Sequence, residues 1–408
     1  MACRKTILIL GARANQVPAI ITAKKMGLEV VCIDPLATAP GSILCDFHYV
    51  FDLADAAQCL RIARRHRING VITVGADYPV PAMAKICKEM DLPGIREEVA
   101  ESATNKRVMR RQFEKAGVPS PYSLAVHTLN EAIQAYHKLR GPAIFKPAVS
   151  HGGRGITRIN ERANIKDLRF AYERAIQVTR GDGILVEEFV DGPEFSVECL
   201  TVGRKTYAIA VTDKLTTGEP YYVEIGHSQP TGLSSKEQTD LIHAAILATQ
   251  ALGIDYAASH VEIRISKDGP KLMEVGARLG GGFINSYLVP LSTGIDMVRS
   301  AIEVALGRNP DIAPRFKKGA AVRFLTPSPG RIKSIIGLEK ASKIEGVAHI
   351  SIDVKPGESV PPLLDGSCRV GYVISTGPDA QTAIHLAELA KQKIIIEIED
   401  ETKNRKCG

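Results

Sequence analysis

The sequence predicts an α/β protein of two or three domains, and three observations support this prediction. The chain has 408 residues, which is more than one typical domain. Its first hundred residues alternate apolar strand patterns with helix patterns, and such a βαβ series favours a parallel sheet. A hydrophobic content of 45% is typical of a globular protein with a sizeable core.

Apolar runs and glycine turns mark the elements of this first region. Strands are predicted at residues 6–10, 29–33 and 70–74, and helices at 16–26 and 56–66. The turn at 11–16 lacks the G-x-G-x-x-G pattern, which argues against dinucleotide binding. Arg13, Asn15 and Asp77 follow predicted strands, so they either line a ligand crevice or serve only as turn residues.

A second α/β region follows a charged helical pattern at 100–117, which is broken by Gly117 and two nearby prolines. The patterns predict strands at 143–147, 183–186, 194–200 and 206–212, and helices at 165–177, 235–252 and 295–306. Residues 214–233 are rich in glycine and proline and are expected to form a long loop. A small α+β tail is then predicted, with strands at 320–325, 370–376 and 393–398 and a helix at 380–391; residues 402–408 are expected to be frayed.

Composition narrows the classes of function. The 52 basic and 45 acidic residues leave a mild net charge of +7, and a 5% aromatic share without tryptophan offers little for base stacking, so no nucleic-acid partner is expected. The eight cysteines are scattered without C-x-x-C spacing, which indicates reduced thiols. No apolar run approaches the roughly 20 residues of a membrane span, so we expect no membrane partner and a cytoplasmic location.

Two glutamates in a predicted hairpin are the strongest chemical signal. Glu262 and Glu274 lie in alternating runs on either side of the turn signal at 267–270. With a three-residue turn centred on Asp268, the two carboxylates lie directly opposite each other and repel. A divalent cation would remove that repulsion, and Arg278 on the same strand face adds an anion-binding group, an arrangement suited to phosphoryl transfer. The alternative is a solvated hairpin with two surface carboxylates, although the three glycines at 280–282 favour a close backbone approach.

A glycine loop at 150–155 follows the predicted strand that ends near Lys146. Glycines let backbone N–H groups approach phosphate oxygens closely, and a lysine at the strand end can neutralise a phosphate. The loop does not have the G-x-x-x-x-G-K-[ST] pattern, so a plain hairpin turn is the alternative.

Residues 184–194 have the pattern of a buried strand that leaves its sheet. At such a point the backbone groups near Glu188 and Val190 become free to pair with the edge of a purine. Phe189 and Val190 supply apolar surface, and Glu194 is placed to accept hydrogen bonds from ribose hydroxyls. The alternative is an acidic loop without a ligand.

In this order, the motifs resemble those of the ATP-grasp superfamily over roughly residues 1–310. They are Asn105-Lys106, the 144–147 strand with Lys146, the 151–155 loop, the 186–190 strand with Glu194, then Glu262 and the 274–278 run. No single motif is specific, but six in the expected order at the expected separations are. The resemblance implies a Rossmann-like parallel-sheet domain at 1–100, an ATP-grasp core of two α+β lobes at 101–310 with its lid lobe at about 118–190, and a small α+β domain at 311–408.

The resemblance also implies roles for individual residues. ATP would lie between the two lobes, with Mg²⁺, or alternatively Mn²⁺, on Glu262 and Glu274, and Arg278 would stabilise the phosphoryl group. The family often has an asparagine ligand two residues after the second glutamate, where this chain has Gly276. The implied ATP-binding residues are Lys106, Lys146, His151, Gly152, Gly153, Arg154, Gly155, Glu187, Glu188, Phe189, Val190 and Glu194, and the implied catalytic residues are Lys146 and Arg278.

Within the superfamily the chain is most similar to carboxylate–amine ligases of the L-amino-acid (dipeptide) ligase type. This implies an ADP-forming reaction between a small-molecule acid and an amine, and it allows a homodimer. The expected substrate-binding residues are Glu224 and His227, placed in the 214–233 loop, with Arg278, Gly280 and Gly281. Two alternatives stay open: a carboxylase or formyl-type ligase that uses bicarbonate or formate, and a nucleotide-binding protein without catalysis.

Overall fold

The computed structural model describes residues 4–150, 152–179 and 181–399, and its first part is a parallel sheet. Four strands pair in the order β3-β2-β1-β4, and every pairing is parallel, as the βαβ pattern predicted. The two central strands are almost wholly buried, which explains their continuous apolar sequences. The elements are β1 (Thr6–Leu10), α1 (Val17–Lys25), β2 (Glu29–Ile33), β3 (Phe47–Tyr49), α2 (Ala56–Arg65), β4 (Gly70–Thr73) and α3 (Val80–Glu89).

The charged segment predicted as one helix at 100–117 is two helices, α4 (Glu97–Thr104) and α5 (Lys106–Ala116). Asn105 separates them: its backbone is extended, and its side chain accepts a hydrogen bond from the Arg107 N–H as an N-cap. The Lys106 N–H donates instead to the Ala148 carbonyl, 2.9 Å away. The interruption therefore fixes Lys106 beside the strand that carries Lys146.

A four-stranded antiparallel sheet forms the next part, in the order β5-β8-β6-β7. Two helices cover it and close a separate small core that includes Phe145 and Val186. The elements are β5 (Ser123–Val126), α6 (Leu129–Leu139), β6 (Ala143–Pro147), β7 (Thr157–Ile159), α7 (Ile165–Ile176) and β8 (Ile184–Glu188).

An eight-stranded antiparallel sheet in the order β13-β12-β9-β10-β11-β14-β18-β16 is the centre of the molecule. A long helix, α8, packs against one face, where its Leu241, Ala245 and Ala248 join a shared core. Up to residue 305 the elements are β9 (Glu194–Val202), β10 (Lys205–Thr216), β11 (Glu224–Gln229), α8 (Ser235–Ala251), β12 (Ala257–Ser266), β13 (Gly269–Gly276), a π-helical turn (Ile284–Leu288), α9 (Val289–Thr293) and α10 (Met297–Ala305).

The C-terminal part contributes three strands to this central sheet and builds a small sheet of its own. Three further strands pair in the order β17-β15-β19. The central sheet thus continues across residue 310, and the division into three domains stays a prediction. The elements are β14 (Gly319–Phe324), β15 (Gly330–Ile336), α11 (Leu338–Ser342), β16 (Val347–Ile352), β17 (Ser359–Val360), a 3₁₀ turn (Gly366–Cys368), β18 (Gly371–Gly377), α12 (Ala380–Lys393) and β19 (Ile395–Ile398).

The prediction of one long loop at 214–233 is wrong. Strand β10 extends to Thr216, and β11 fills the middle of the segment as an interior strand between β10 and β14. The sequence of β11, Glu-Ile-Gly-His-Ser-Gln, contains few residues with high strand propensity, so its pairing on both sides overrides local preference.

Among the helices in the described ranges, none combines the length and the apolar character that a membrane crossing requires. The six cysteines in those ranges form no disulfides.

Gly192, at the exit from the small antiparallel sheet, gives a test of the backbone path. Its φ is +129°, and a Cβ added there would lie 2.0 Å from the Ile265 carbonyl oxygen, so we expect Gly192→Ala to lower the free energy of unfolding by about 2–4 kcal/mol. Gly203, in the β9–β10 turn, is the matched control: its φ is +58°, but its nearest neighbour is the Tyr256 hydroxyl at 3.5 Å, so Gly203→Ala should cost only about 1 kcal/mol. Urea unfolding measures both, and equal losses would contradict the close packing at Gly192.

Candidate active site

A cleft of about 1600 Å³, including the part open to solvent, lies where all parts of the chain meet. The parallel-sheet region contributes Asn15 and Asp77, which supports the reading of these residues as crevice residues; Arg13 instead lies 3.6 Å from Asp34. The small antiparallel sheet, the central sheet and the C-terminal part supply the other walls.

One face of the central sheet provides most of the charged wall. Strands β9 and β12 pair so that Glu194 lies opposite Arg264, and Glu198 opposite His260. Because side chains alternate along a strand, these residues share one face, while their apolar neighbours face α8. The alternation seen in the sequence therefore separates the cleft from the core.

Glu262 and Glu274 are directly paired across the β12–β13 hairpin, as the sequence predicted. The expected three-residue turn is wrong, however, because only Lys267 and Asp268 lie between the last paired residues. An extra residue in β13, Met273, shifts the register by one and restores the predicted pairing.

Lys214 on β10 links the acidic side chains of the cleft. Its side chain is only 2% exposed, and its Nζ lies 2.7 Å from Glu194, 2.7 Å from Glu224 and 2.9 Å from Glu262. Burial would lower the pKa of Lys214, but the three carboxylates outweigh burial and raise it well above the ordinary value. No sequence pattern indicated this lysine, because its position was predicted to be the start of a loop.

Lys106 performs the corresponding role for Glu274. Its Nζ donates to a Glu274 oxygen and to the Ser150 carbonyl, each at 2.9 Å. Each glutamate of the hairpin therefore has a lysine partner, Lys214 for Glu262 and Lys106 for Glu274, in addition to the glutamate opposite it.

A buried cluster of Lys146, Glu187 and Arg110 forms the wall on the side of the small sheet. Glu187 lies 2.6 Å from Lys146 and 2.8 Å from Arg110. Burial would raise the pKa of Glu187, but the two cations outweigh it and lower the pKa to about 2. Burial lowers the pKa of Lys146 to about 8, with Glu187 acting against that shift and Arg110 adding to it. For Arg110, the charged pattern at 100–117 predicts only a place in a helix.

Arg278 is held by the parallel-sheet region. Its Nε and Nη2 donate to the two carboxylate oxygens of Asp77, at 2.8 and 3.1 Å. Next to this pair, the Gly75 N–H donates to the Leu279 carbonyl. Arg278 follows the end of β13 at Gly276, so it is positioned by this contact between regions as well as by the strand.

A buried network lies behind Glu262. Glu198 accepts from Asn285 Nδ2 at 2.6 Å and shares a 2.6 Å hydrogen bond with His260 Nδ1, while His260 Nε2 lies 3.4 Å from Glu262. Gly280 packs against this network: an added Cβ would lie within 3 Å of His260, Glu198 and Asn285. Gly281 lines the cleft and Gly280 lies beside this network, and the substrate-binding roles of both glycines stay predictions.

The exit from β8 has fewer free backbone groups than the sequence suggested. The Glu188 N–H donates to Tyr122 and the Phe189 N–H to Pro142, so these groups are already satisfied. The Val190 N–H has no acceptor among the described residues, and its carbonyl accepts from Arg264. Glu188, Phe189, Val190 and Glu194 all line the cleft, and Glu194 is paired with Arg264 at 3.0 Å.

Glu224 and His227 lie on strand β11, and both reach the cleft. Residues three apart on a regular strand face opposite sides, but β11 contains one extra residue, Ile225, between the pairs Leu215–Gly226 and Thr216–Glu224. This bulge brings both side chains to one face, with His227 opposite Lys214.

The glycine loop is only partly at the cleft. Gly152 and Gly153 line it, whereas Gly155 packs against Pro147 and Val178, and Arg154 is exposed. His151 lies outside the described residues. Over the described ranges, no three His, Cys, Asp or Glu side chains group as a metal site would require.

Comparisons with known families match two parts of the chain. Residues 139–286 match the ATP-grasp domain, and residues 323–399 match the L-amino acid ligase C-terminal domain 2.

Curated relatives are 24% to 28% identical to this chain over the regions that align. An uncharacterised protein of Sinorhizobium fredii, y4rH, is 28% identical over 82% of this chain and 69% of its own length. Alanine–anticapsin ligase of Bacillus subtilis is 27% identical and carnosine synthase 1 of Homo sapiens 24% identical, each over 62% of this chain. These matches span 58% and 32% of the two relatives, respectively.

Solved structures match the fold along nearly the whole chain. The L-amino acid ligase of Bacillus licheniformis has a TM-score of 0.84 at 23% identity and covers 98% of this chain and all of its own. The biotin carboxylase domain dimer of the Hydrogenobacter thermophilus 2-oxoglutarate carboxylase, solved with MgADP, ADP and bicarbonate, has a TM-score of 0.77 at 17% identity and covers 97% of this chain and 91% of its own.

The buried Glu187 cluster predicts an acid-dependent contribution to stability. The pKa of Glu187 is lowered from 4.5 to about 2, so its contribution is fully present above about pH 4.5 and is lost as the pH falls toward 2. We expect Glu187→Gln to lower the free energy of unfolding by about 3 kcal/mol at pH 7, and the difference from the unmodified protein to shrink below pH 4.5.

Urea unfolding from pH 7 to pH 2.5 measures this difference. Glu173 is the control, because it lies on helix α7, which packs on the same sheet, and forms an exposed 4.0 Å pair with Arg169. We expect Glu173→Gln to change the free energy of unfolding by less than about 0.5 kcal/mol. A Glu187→Gln difference that is independent of pH would contradict the role assigned to the carboxylate.

Proposed function

Because this chain carries an ATP-grasp domain and an L-amino acid ligase C-terminal domain, we propose that it is an ADP-forming ligase that joins a carboxylate to an amine. The observation that carries the proposal is the convergence, in one cleft, of Glu262 and Glu274, Lys106 and Lys146, and Arg278 held by Asp77. The names of two relatives, a ligase and a synthase, support the same class.

The residues of the cleft fit ATP and Mg²⁺, which ATP-grasp ligases use. Mg²⁺ is commonly held by one or two carboxylates together with substrate phosphate oxygens, and Glu262 and Glu274 provide such a pair. Lys106 and Lys146 supply positive charge for the phosphates, and Gly152 and Gly153 offer backbone close to them. The Val190 N–H, which has no acceptor in the part of the chain that the structure describes, is available to a purine edge.

The proposed reaction has two steps. A carboxylate oxygen of the acid attacks the γ-phosphorus of ATP, the bond to the β–γ bridging oxygen breaks, and ADP leaves. The amine nitrogen then attacks the carbonyl carbon of the acyl phosphate, phosphate leaves with the bonding electrons, and the nitrogen loses a proton. Mg²⁺, when bound, would neutralise part of the negative charge of the phosphates.

The protein's contribution to both steps is positioning and charge compensation. Arg278 is fixed by two hydrogen bonds to Asp77, so its remaining N–H groups are oriented before the substrate arrives. The Glu198–His260 pair restrains Glu262 from behind, as a hydrogen-bonded partner of a metal-binding carboxylate does.

A carboxylase that uses bicarbonate is the second candidate, and the structural likeness to the 2-oxoglutarate carboxylase domain favours it. The length of the 214–233 segment does not separate the two, because that segment contains strand β11. The presence of Glu224 and His227 in the cleft favours the ligase, since they provide polar groups for a larger, charged substrate.

Phosphate and ADP release by the full chain tests the proposal, with Mg·ATP and a panel of amino acids offered singly and in pairs. We expect release that depends on both an acid and an amine, with an amide product detected by mass spectrometry. Release that requires bicarbonate would favour the carboxylase, and ATP binding without release under every condition would exclude both enzymes.

The hairpin carboxylates predict a change in the requirement for magnesium. Glu262→Gln should raise the half-saturating Mg²⁺ concentration by about tenfold or more, because one of two charged ligands is lost. Glu224→Gln is the matched control, since Glu224 also contacts Lys214 but does not face Glu274. A magnesium titration of ATP turnover measures both, and an equal shift in the two variants would argue against Glu262 as a ligand.

The position of Arg278 predicts that removing its side chain lowers turnover while nucleotide binding is retained. We expect Arg278→Ala to lower kcat on the order of 10²–10³, the usual effect of removing one group that stabilises transition-state charge. The exposed Arg299, paired with Glu303 on α10, serves as control and Arg299→Ala should keep normal kcat. Near-normal kcat in Arg278→Ala would remove Arg278 from the mechanism.

A further inference from the structure

The C-terminal part places one arginine in the cleft that the sequence did not indicate. Arg369 follows the 3₁₀ turn, and its Nε donates to the Gly366 carbonyl at 2.8 Å. Its guanidinium carbon lies 3.9 Å from the centre of the Phe324 ring, and Nη1 is 3.4 Å from the Glu224 carbonyl. These contacts hold the guanidinium in place at the edge of β11.

Arg369 differs in its ion pairing from the other Lys and Arg side chains described along the cleft. Each of the others has a carboxylate oxygen within 3.0 Å, whereas the nearest carboxylate oxygen to Arg369, on Glu224, is 4.0 Å away. Its charge is thus the least compensated of this set. The paired cations are Lys106, Lys146, Lys214, Arg264 and Arg278.

His227 is a second unsatisfied group at the same place. Its ring is fully buried and lines the cleft, and neither ring nitrogen has a hydrogen-bond partner among the described residues. Burial lowers the pKa of His227 to about 4, so the ring is neutral at physiological pH. Gly282 leaves space beside the imidazole, because a Cβ added at this position would lie 2.7 Å from His227 Nε2. A buried ring without partners points to a ligand that supplies them.

The two charges at this end have the spacing of one small ligand. Arg369 Nη1 and Glu224 Oε2 lie 4.0 Å apart, and His227 Nε2 is 3.6 Å from the same glutamate oxygen. In an α-amino acid the amine and the carboxylate are attached to one carbon, so a single such molecule reaches both charges at once. An amine without a carboxylate reaches only one of them.

This group of side chains adjoins the predicted metal-binding glutamates. Arg369 contacts Glu224, and Lys214 stands between Glu224 and Glu262. An amine beside Glu224 is therefore close to Glu262, where the acid must be activated.

We propose that Arg369 binds the carboxylate of the amine substrate, which is an α-amino acid whose amine lies beside Glu224 and His227. This inference rests on the proposed function and names the class of its acceptor.

Paired probes that differ only in the carboxylate test this assignment. The full chain, with Mg²⁺ and β,γ-imido-ATP, is titrated with L-amino acids and with the matching carboxamides, and binding is followed by thermal shift; phosphate release with ATP is measured for the same pairs. The unmodified protein should prefer the amino acid about 10- to 100-fold, the usual range for a charged hydrogen bond. Arg369→Gln should lose this preference and treat both ligands like the amide, while Arg369→Lys should retain part of it.

Arg331→Gln is the matched control, because Arg331 is an exposed arginine in the same C-terminal part. It should keep the preference of the unmodified protein. A merely structural role for Arg369 would weaken amino acid and amide binding equally, and that result would overturn the assignment, as would an Arg369→Gln variant that keeps the preference.

The outcome also separates this inference from the proposed function. Acid-dependent release that is equally fast with amines lacking a carboxylate would leave the ligase standing and overturn the role of Arg369. Absence of release with every acid and amine would overturn the ligase and, with it, the acceptor assignment, even where an amino acid binds through Arg369.

Discussion

The cleft depends on the compensation of crowded negative charge by buried cations. Glu194, Glu224 and Glu262 all reach the ammonium group of Lys214, and like charges this close can stay ionised only with such a partner. Removing one partner from a buried charged group is costly, so these side chains hold one another in place. A cleft that is rich in carboxylates can then remain ordered without a bound cation, and it presents oxygen ligands when one arrives.

The same constraint ties distant parts of the chain together. Asp77 follows the parallel sheet and Arg278 follows β13, yet the two form a bidentate pair beside a backbone hydrogen bond between Gly75 and Leu279. Arg369 comes from the C-terminal part and lies over Phe324 of the central sheet. Because each region contributes a charged group, the cleft is complete only when all of them are assembled, and the central sheet that continues through β14 and β18 provides the common support.

Local patterns in the sequence predicted the elements better than they predicted the charged contacts. The apolar runs of β1 and β2 indicated a buried parallel sheet, and the alternation around Glu262 and Glu274 indicated a hairpin. The partners of those glutamates were missed because they are distant in sequence: Lys106 contacts Glu274 across 168 residues, and Lys214 contacts Glu262 across 48. Strand β11 was taken for a loop, since its residues have low strand propensity and only its two neighbours hold it in the sheet.

Two β-bulges explain why regular periodicity could not locate the site completely. On a regular strand, residues separated by an odd number of positions face opposite sides, so Glu224 and His227 could not share the cleft. The extra residue Ile225 in β11 removes that restriction, and the extra residue Met273 in β13 brings Glu274 opposite Glu262 despite a turn shorter than expected. Bulges re-aim side chains at the cost of ladder hydrogen bonds, which is why they commonly lie next to functional sites. Both bulges here deliver a carboxylate to the same cleft, so the charge pattern of the site follows from irregularities of the sheet.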